Sequence, residues 1–297
     1  MKKKIYQIVS ISLLLIILGV AVYLGPRLWN DLQTLQWNWA IAGLGVYFIN
    51  YLLRAERLRI ISGKRLEIWP DAIHSASLHG VATYFLPVRT GDLTLPVILK
   101  SVANIGLAEG GQILLKARFL DITTLGLWML GASLFTTVSI SPFVRAVWFL
   151  LALGTSMLPL AIKCLKSLEW LARLRKFWVI NVFETVTSVS FREIFISLGI
   201  WVAVASCFYC TARAVSLNIG IGDVWFLITI QLPLQLIPVQ GLANTGNHEA
   251  GWVAGLALLG ISASEGISFA LASHALLIVY VLALGLLALI SRKRSMG

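Results

Sequence analysis

Two interrupted apolar stretches constrain this chain more than any other feature of its sequence. Each is apolar enough to lie inside a bilayer, and each is broken in the middle by proline, glycine and charged residues, at 84–92 and at 236–249. One continuous membrane helix does not tolerate such a break. Matching breaks in two halves of a chain are typical of the binding site of a transporter. The pattern therefore predicts a protein that moves something across a membrane.

The composition requires most of the chain to be embedded. Hydrophobic residues make up 58% of the sequence and charged residues 12%, and the mean hydropathy is +0.86. A soluble domain carries about 25% charged residues. We predict an all-α polytopic membrane protein with about six transmembrane helices, each of roughly 20 residues. The predicted crossings are 6–24, 37–53, 120–140, 144–164, 194–215 and 267–290. The first could be a signal peptide, but no small-x-small cleavage site follows it, so we expect an uncleaved helix.

The basic residues predict the orientation of the chain. If the helices alternate, the basic clusters at 2–4, 54–65, 163–176 and 292–294 all fall on one side, which the positive-inside rule makes cytoplasmic. We therefore expect a multi-pass protein of a bacterial or archaeal cytoplasmic membrane, with both termini in the cytoplasm. This arrangement accounts for the net charge of +11, so no nucleic-acid partner is expected. Attraction to anionic lipid head groups is a secondary consequence.

The same topology makes the broken stretches, 72–99 and 222–262, two opposed re-entrant helical hairpins. Each half then contains a helix, a second helix, a hairpin and a last helix, in opposite orientations, which describes an inverted repeat. We expect one integral membrane domain, 1–297, with halves 1–141 and 142–297 and an amphipathic linker at about 165–192. Sparse matches at one spacing favour the repeat over chance. They are Arg57 with Arg213, Trp69 with Trp225, Glu109-Gly110 with Glu265-Gly266, and Arg118 near His274.

Polar residues at membrane depth are costly and are therefore candidates for function. The candidate substrate-binding residues are Arg89, Asp92, Arg118, Asp121, Asn247, His248, Glu249 and His274. Half-helix N-termini at the breaks favour an anionic group such as phosphate. Arg89 and Arg118 are expected to contact that phosphate, while Asp92 and Glu249 gate the site or bind a proton or an amine.

Purely structural roles are the alternatives for these residues. Arg89 and Asp92 can simply neutralise each other, so that a bent backbone stays buried. Glu249 can be a solvated carboxylate at the interface. Arg118 and Asp121 lie one helical turn apart, so they can form an ion pair, or Arg118 can point at the hairpin instead.

No motif for an enzyme or a cofactor is visible. The chain has no Walker A loop, no GxSxG and no dinucleotide fingerprint, and no nucleophile–base pair is apparent. Cys207 and Cys210 form a Cys-x-x-Cys without further ligands, and zinc needs about four. His74 and His79 are poorly spaced for a metal. We expect no cofactor, no metal and no catalytic activity.

Three short motifs resemble a known family. They are Leu86-Pro87-Val88-Arg89-Thr90-Gly91-Asp92, then Lys116-Ala117-Arg118-Phe119-Leu120-Asp121, then Pro238 followed by Gly246-Asn247-His248-Glu249. Together they resemble the membrane part of the lysylphosphatidylglycerol synthase/flippase family, over nearly the whole chain. The sequence departs from the family pattern where Asp92 replaces the usual Glu, where His274 replaces a common Arg, and in a loosened glycine-rich element. The resemblance implies a stand-alone flippase-like protein without the soluble aminoacyl-transferase domain.

The expected function is translocation of an anionic lipid, either a phospholipid or a polyprenyl-phosphate-linked lipid. The alternative is a non-transporting accessory subunit of a membrane glycosyltransferase or lipid synthase in cell-envelope biosynthesis. The expected partners are membrane lipids, and in the alternative also enzymes of lipid or glycan biosynthesis. The oligomeric state stays open.

Overall fold

The computed structural model describes residues 33–135, 142–166, 186–235 and 242–295. These residues form ten α-helices, three short 3-10 helices and no strand. The α-helices are α1 (Trp37–Ser62), α2 (Trp69–Phe85), α3 (Thr94–Ala103), α4 (Leu107–Phe135), α5 (Pro142–Ser156), α6 (Leu158–Lys166), α7 (Phe191–Ala214), α8 (Ile221–Gln235), α9 (Asn247–Leu258) and α10 (Ala263–Ser295). The 3-10 helices are Gly63–Leu66, Pro87–Leu93 and Leu242–Asn244.

The helices occur in the same order twice. A long helix, two short helices that pack on each other, and another long helix appear as α1, α2, α3 and α4, and again as α7, α8, α9 and α10. The predicted breaks separate the two short helices of each set. In each set the short pair therefore forms a helical hairpin around its break.

The first helices of the two sets run in opposite directions. At one end of α1, the Gln36 N–H donates a hydrogen bond to the Ala214 carbonyl at 2.8 Å; at the other end, the Arg192 guanidinium meets the Glu56 carboxylate at 2.6 Å. The start of α1 therefore lies beside the end of α7, and the start of α7 lies beside the last turns of α1. The helices that begin the two sets, α1 and α7, are therefore antiparallel.

Each set also packs on the last helix of the other. His74 Nδ1 of α2 lies 2.7 Å from the Ala288 carbonyl oxygen of α10. Trp225 of α8 and Trp128 of α4 each donate an indole N–H to the other's carbonyl, at 3.2 and 3.3 Å. These crossed contacts tie the two sets together.

Glycines allow the short helices to approach their neighbours closely. A Cβ on Gly91 would lie 2.3 Å from the Thr83 Cα, so only glycine fits where the first hairpin turns back on α2. A Cβ on Gly110 would lie 2.8 Å from the Pro96 Cα, and one on Gly266 would meet α9 in ordinary contact. Both glycines occupy the first turn of a long helix that passes the preceding short helix. Close packing therefore explains the glycine at 110, whereas position 266 has room for a Cβ.

The two breaks meet inside the bundle. The segment Pro87–Leu93 contacts Leu242–Asn244, and Phe85, Ala243 and Val281 pack together beside this contact. Polar residues from both breaks are thereby brought to one region.

Several predicted boundaries shift. Two described helices, Phe191–Ala214 and Ala263–Ser291, are long and apolar enough to cross a membrane by length and composition. The helix that contains the predicted crossing 37–53 continues to Ser62, the helix that contains the start of 120–140 begins earlier at Leu107, and the segment 144–164 is divided between α5 and α6. The first crossing, 6–24, and most of the amphipathic linker lie outside the described residues. The count of six crossings remains a prediction.

Candidate functional site

A cavity of about 430 Å³ lies where α1, α2 and α4 face α7. Asp92 from the first break and Asn244 from the second both line it. Its polar end contains Arg54, Arg57, His79, Asp92, Arg118 and Asp121. Its apolar wall includes Leu58, Leu125, Val204, Phe208 and Leu277. The cavity thus has a charged end and a hydrocarbon-like side.

An ionic network organises the polar end. The two oxygens of Asp121 accept hydrogen bonds from different guanidinium groups, Oδ1 from Arg57 at 2.6 Å and Oδ2 from Arg118 at 3.0 Å. The second Nη of Arg118 reaches the Asp92 carboxylate. Arg57 also donates to Ser197 Oγ of α7 at 3.1 Å. The network therefore links α1, α4, α7 and the first break. Each of these buried charges has a partner of opposite charge, which a buried charge requires.

The network contains both contacts that were predicted as alternatives for Arg118. Arg118 does both things that the sequence allowed, because it pairs with Asp121 on its own helix and also reaches the hairpin through Asp92. The side chain of Arg89 lies outside what the structure describes, although its backbone belongs to Pro87–Leu93. The phosphate contact expected of Arg89 therefore stays a prediction.

Arg57 is a site residue that the sequence reasoning missed. We counted it among the basic residues of the cytoplasmic side, but its side chain is only 4% exposed. Arg57 lies in a charged cluster with Arg54, Glu56 and Arg59, and the available signal was only that the apolar residues Ile60 and Ile61 follow that cluster. Apolar residues beyond a group of charges indicate that the helix, and the charges within it, continue into the packed part of the protein.

A second cluster repeats the first in the other half. Glu249, just after the second break, contacts His274 of the following long helix, as Asp92 contacts Arg118. Glu249 Oε2 also accepts the Gly246 N–H at 2.7 Å, so the free N–H expected at this helix start is bound by the protein's own carboxylate.

The contacts of His274 place a proton between its ring and Glu249. His274 Nε2 lies 2.8 Å from the Ala243 carbonyl, which can only accept, so Nε2 carries a hydrogen. Contact between Nδ1 and the carboxylate then requires a further proton on one of the two groups. The equivalent arginine pair has no such proton to lose, because arginine stays charged.

The remaining predicted residues lie beside this second cluster. Asn247 begins α9. His248 is fully buried, and its Nε2 lies 3.0 Å from Ser273 Oγ. The structure thus brings together a serine and a histidine that the sequence did not pair. The Ser273 hydroxyl is directed at the Ala270 carbonyl and is also fully buried, and neither residue lines the cavity.

Three polar atoms of cavity-lining residues lack a hydrogen-bond partner among the described residues. They are Arg118 Nε, the Tyr84 hydroxyl and Asn244 Oδ1. Buried polar groups are nearly always bonded to protein or to another molecule. Two of these three can donate, as an anionic ligand requires.

The comparison with known proteins agrees with the resemblance. A family model described as lysylphosphatidylglycerol synthase TM region matches residues 7–285. The chain belongs to this family. Membership in the lysylphosphatidylglycerol synthase TM region family, together with the apolar helices, identifies a helical membrane protein of a lipid-related family. No curated protein and no solved structure matches the chain.

Proposed function

We propose that the protein binds an anionic lipid in this cavity and translocates it across the cytoplasmic membrane, as a multi-pass protein of inverted halves. The cargo class is a phospholipid or a polyprenyl-phosphate-linked lipid. The observation that carries the proposal is the position of the cavity. It is lined by a residue from each of the two breaks, which contact each other, and it has arginines at one side of it.

The lining suits a lipid head group. The Nε of Arg118 and the Tyr84 hydroxyl are donors without a hydrogen-bond partner among the described residues, and a guanidinium binds phosphate through charge-assisted hydrogen bonds. The volume falls in the range of about 300–1,000 Å³ that holds a drug-sized ligand. The head group therefore occupies the polar end, and the hydrocarbon chains run along the apolar wall.

The repeated acid–base pairs supply the gates. Asp92–Arg118 and Glu249–His274 each tie a break to the following long helix. A phosphate that reaches Arg118 competes with Asp92 for the same guanidinium and loosens the first hairpin. Rocking of one half against the other then exposes the cavity to either side in turn. The proposal includes no catalytic step and no cofactor.

Lipid scrambling by the purified protein in liposomes tests the proposal. The parent should accelerate the movement of a labelled anionic lipid between leaflets. Arg118→Ala should abolish this while the protein still inserts, because it removes a contact worth about 1.5–3 kcal/mol. Arg213→Ala is the matched control, since Arg213 is an arginine of α7 that bonds Asn218 and does not line the cavity.

The same measurement separates the transporter from the accessory subunit. An accessory subunit of a lipid or glycan synthase would hold the lipid without moving it. Binding of lipid by a parent protein that does not scramble it would reject the transport proposal and favour that alternative.

A further inference from the structure

One histidine lines the cavity without taking part in either proposed gate. His79 of α2 lies at the polar end, and its side chain is 16% exposed. Its Nε2 lies 4.0 Å from Asp92 Oδ1, which is the same carboxylate oxygen that the Arg118 guanidinium contacts. That distance is too long for a hydrogen bond, but a protonated ring at that distance can pair with the carboxylate. Asp92 therefore faces two cations, of which Arg118 is always charged and His79 is charged only when it binds a proton.

Two threonines hold the ring of His79 in this orientation. Its Nδ1 lies 3.4 Å from Thr94 Oγ1 and 3.5 Å from Thr83 Oγ1. The Thr94 hydroxyl donates its hydrogen to the Gly91 carbonyl at 2.6 Å, so its oxygen is left to accept. The ring thus has an acceptor on each side, Thr94 Oγ1 at Nδ1 and the Asp92 carboxylate at Nε2. A neutral imidazole carries one hydrogen and donates to only one of them, whereas an imidazolium donates to both.

The two possible partners of Asp92 belong to different parts of the fold. His79 lies in the same hairpin as Asp92, whereas Arg118 belongs to α4. A phosphate that takes Arg118 deprives Asp92 of its cation, and a largely buried carboxylate without a cation is strongly unfavourable. Among the described side chains of this hairpin, His79 supplies a replacement when it is protonated. The Asp92–Arg118 gate can then open while Asp92 stays paired.

Charged groups reach His79 from three other elements. They are Asp92 of the first break, Arg118 and Asp121 of α4, and Arg54 of α1. The two guanidiniums oppose a further positive charge on the ring, and an anionic ligand beside Arg118 offsets that opposition. The ligand and the proton therefore strengthen each other's binding. This coupling depends on the charge that His79 gains and not on the total charge of the site.

We propose that His79 is a proton-binding site coupled to the lipid site, and that one proton enters the cavity with each anionic lipid. This inference rests on the proposed function. The proton comes from water that reaches the open cavity, and it binds the ring nitrogen that carries no hydrogen in the neutral form. Asp92 then passes from Arg118 to His79, and the guanidinium binds the phosphate. The Glu249–His274 pair at the second break is a separate proton site.

The pH dependence of lipid affinity tests the coupling. Phosphatidylglycerol is the probe, bound to the purified protein in detergent from pH 5 to pH 8, because its phosphodiester keeps a single negative charge across this range. Since the lipid raises the affinity of His79 for protons, binding takes up a proton and tightens as the pH falls. The parent should bind at least about tenfold more tightly at pH 5 than at pH 8. A pH-indicator dye in weak buffer should record the uptake of up to one proton for each lipid bound.

Three variants locate the proton. His79→Gln should bind the lipid with an affinity that does not change with pH, and it should take up no proton. His74→Gln is the matched control, because His74 lies on the same helix, contacts the Ala288 carbonyl and does not line the cavity. It should keep the pH dependence of the parent. Glu249→Gln removes only the second proton site, so it should also keep the pH dependence of binding, as distinct from that of scrambling.

The outcomes separate this inference from the proposed function. Equal affinity of the parent at pH 5 and pH 8, which needs no variant to fold, would overturn the inference and favour Arg89, which does not titrate, as the replacement partner of Asp92. Parent-like pH dependence in His79→Gln, or its loss in Glu249→Gln, would also overturn it. Failure of the parent to bind phosphatidylglycerol at any pH would instead overturn the proposed function.

The same head group without acyl chains distinguishes a lipid from a soluble ligand. Glycerophosphoglycerol should compete only weakly with phosphatidylglycerol at both ends of the pH range, because it cannot use the apolar wall of the cavity. Competition as strong as that of the lipid would make the ligand a soluble phosphodiester and would refute the lipid assignment.

Discussion

The most exacting prediction concerns Asp121, the buried carboxylate at the centre of the ionic network that lines the cavity. Asp121→Asn keeps the shape of the side chain and removes only its charge. Arg57, which is 4% exposed, then has no carboxylate partner among the described residues, where its Nη1 retains the Ser197 hydroxyl and an amide oxygen. Removal of one member of a buried ion pair costs about 3–5 kcal/mol. We expect a loss of unfolding free energy of that size.

The matched control is Glu56→Gln, the same chemical change one position before Arg57 on α1. Glu56 pairs with Arg59 and Arg192, whose side chains are 26% and 70% exposed. Ion pairs at the surface contribute about 0–1 kcal/mol. The control should therefore lose much less stability than Asp121→Asn.

A double-mutant cycle tests the cause. Arg57→Met alone leaves Asp121 paired with Arg118, so it should cost less than Asp121→Asn. The double variant, Arg57→Met with Asp121→Asn, no longer buries an unpaired guanidinium and should recover part of the loss. The assay is reversible unfolding of the detergent-solubilised protein by a denaturing surfactant. Additive losses, or an Asp121→Asn variant as stable as Glu56→Gln, would refute the reasoning.

Three other predictions concern orientation, protons and packing. In a chain without its native cysteines, Thr90→Cys should react with an impermeant reagent from the cytoplasmic side and Thr245→Cys from the outside; labelling of both from one side contradicts inverted halves. The rate of scrambling by the parent should vary across pH 5–9, and Glu249→Gln should lose that dependence because the variant lacks the proton-sharing pair. Identical pH profiles for the two proteins would mean that Glu249 only caps its helix, a role worth about 0.3–1 kcal/mol. Gly91→Ala should lower the free energy of unfolding by about 1–3 kcal/mol, because the added Cβ has no room. Gly45→Ala should not lower it, because a Cβ at position 45 meets open space. Equal effects of the two substitutions would exclude close packing as the cause.

The sequence contains enough information to predict local features of the fold. The proline and glycine breaks mark where the hairpins turn. Ser190 and Glu193 form a capping box that starts α7, which their spacing also indicates. The turn at Met157 between α5 and α6 is close to Pro159, so the divided crossing could have been anticipated.

The long-range pairs could not be predicted from one sequence. Arg118 and Asp121 share a helical turn, so their contact follows from spacing, but Arg57 and Asp121 are 64 positions apart. Their contact depends on how α1 packs against α4, which periodicity does not encode. The helix that contains the predicted crossing 37–53 extends to Ser62 for a related reason. Charges at 54–59 suggest a boundary, yet α7 and α4 cover Arg57 and let the helix continue.

The separation between Arg57 and its carboxylate has a consequence for biogenesis. In the proposed orientation, α1 leaves the ribosome and meets the membrane before Asp121 has been synthesised, and well before Ser197. During that interval the guanidinium has neither of its final partners. It lies near the cytoplasmic end of α1, where a long side chain can extend to the lipid head groups. Final seating of α1 is therefore a late event of assembly, completed only when α4 and then α7 have been inserted beside it.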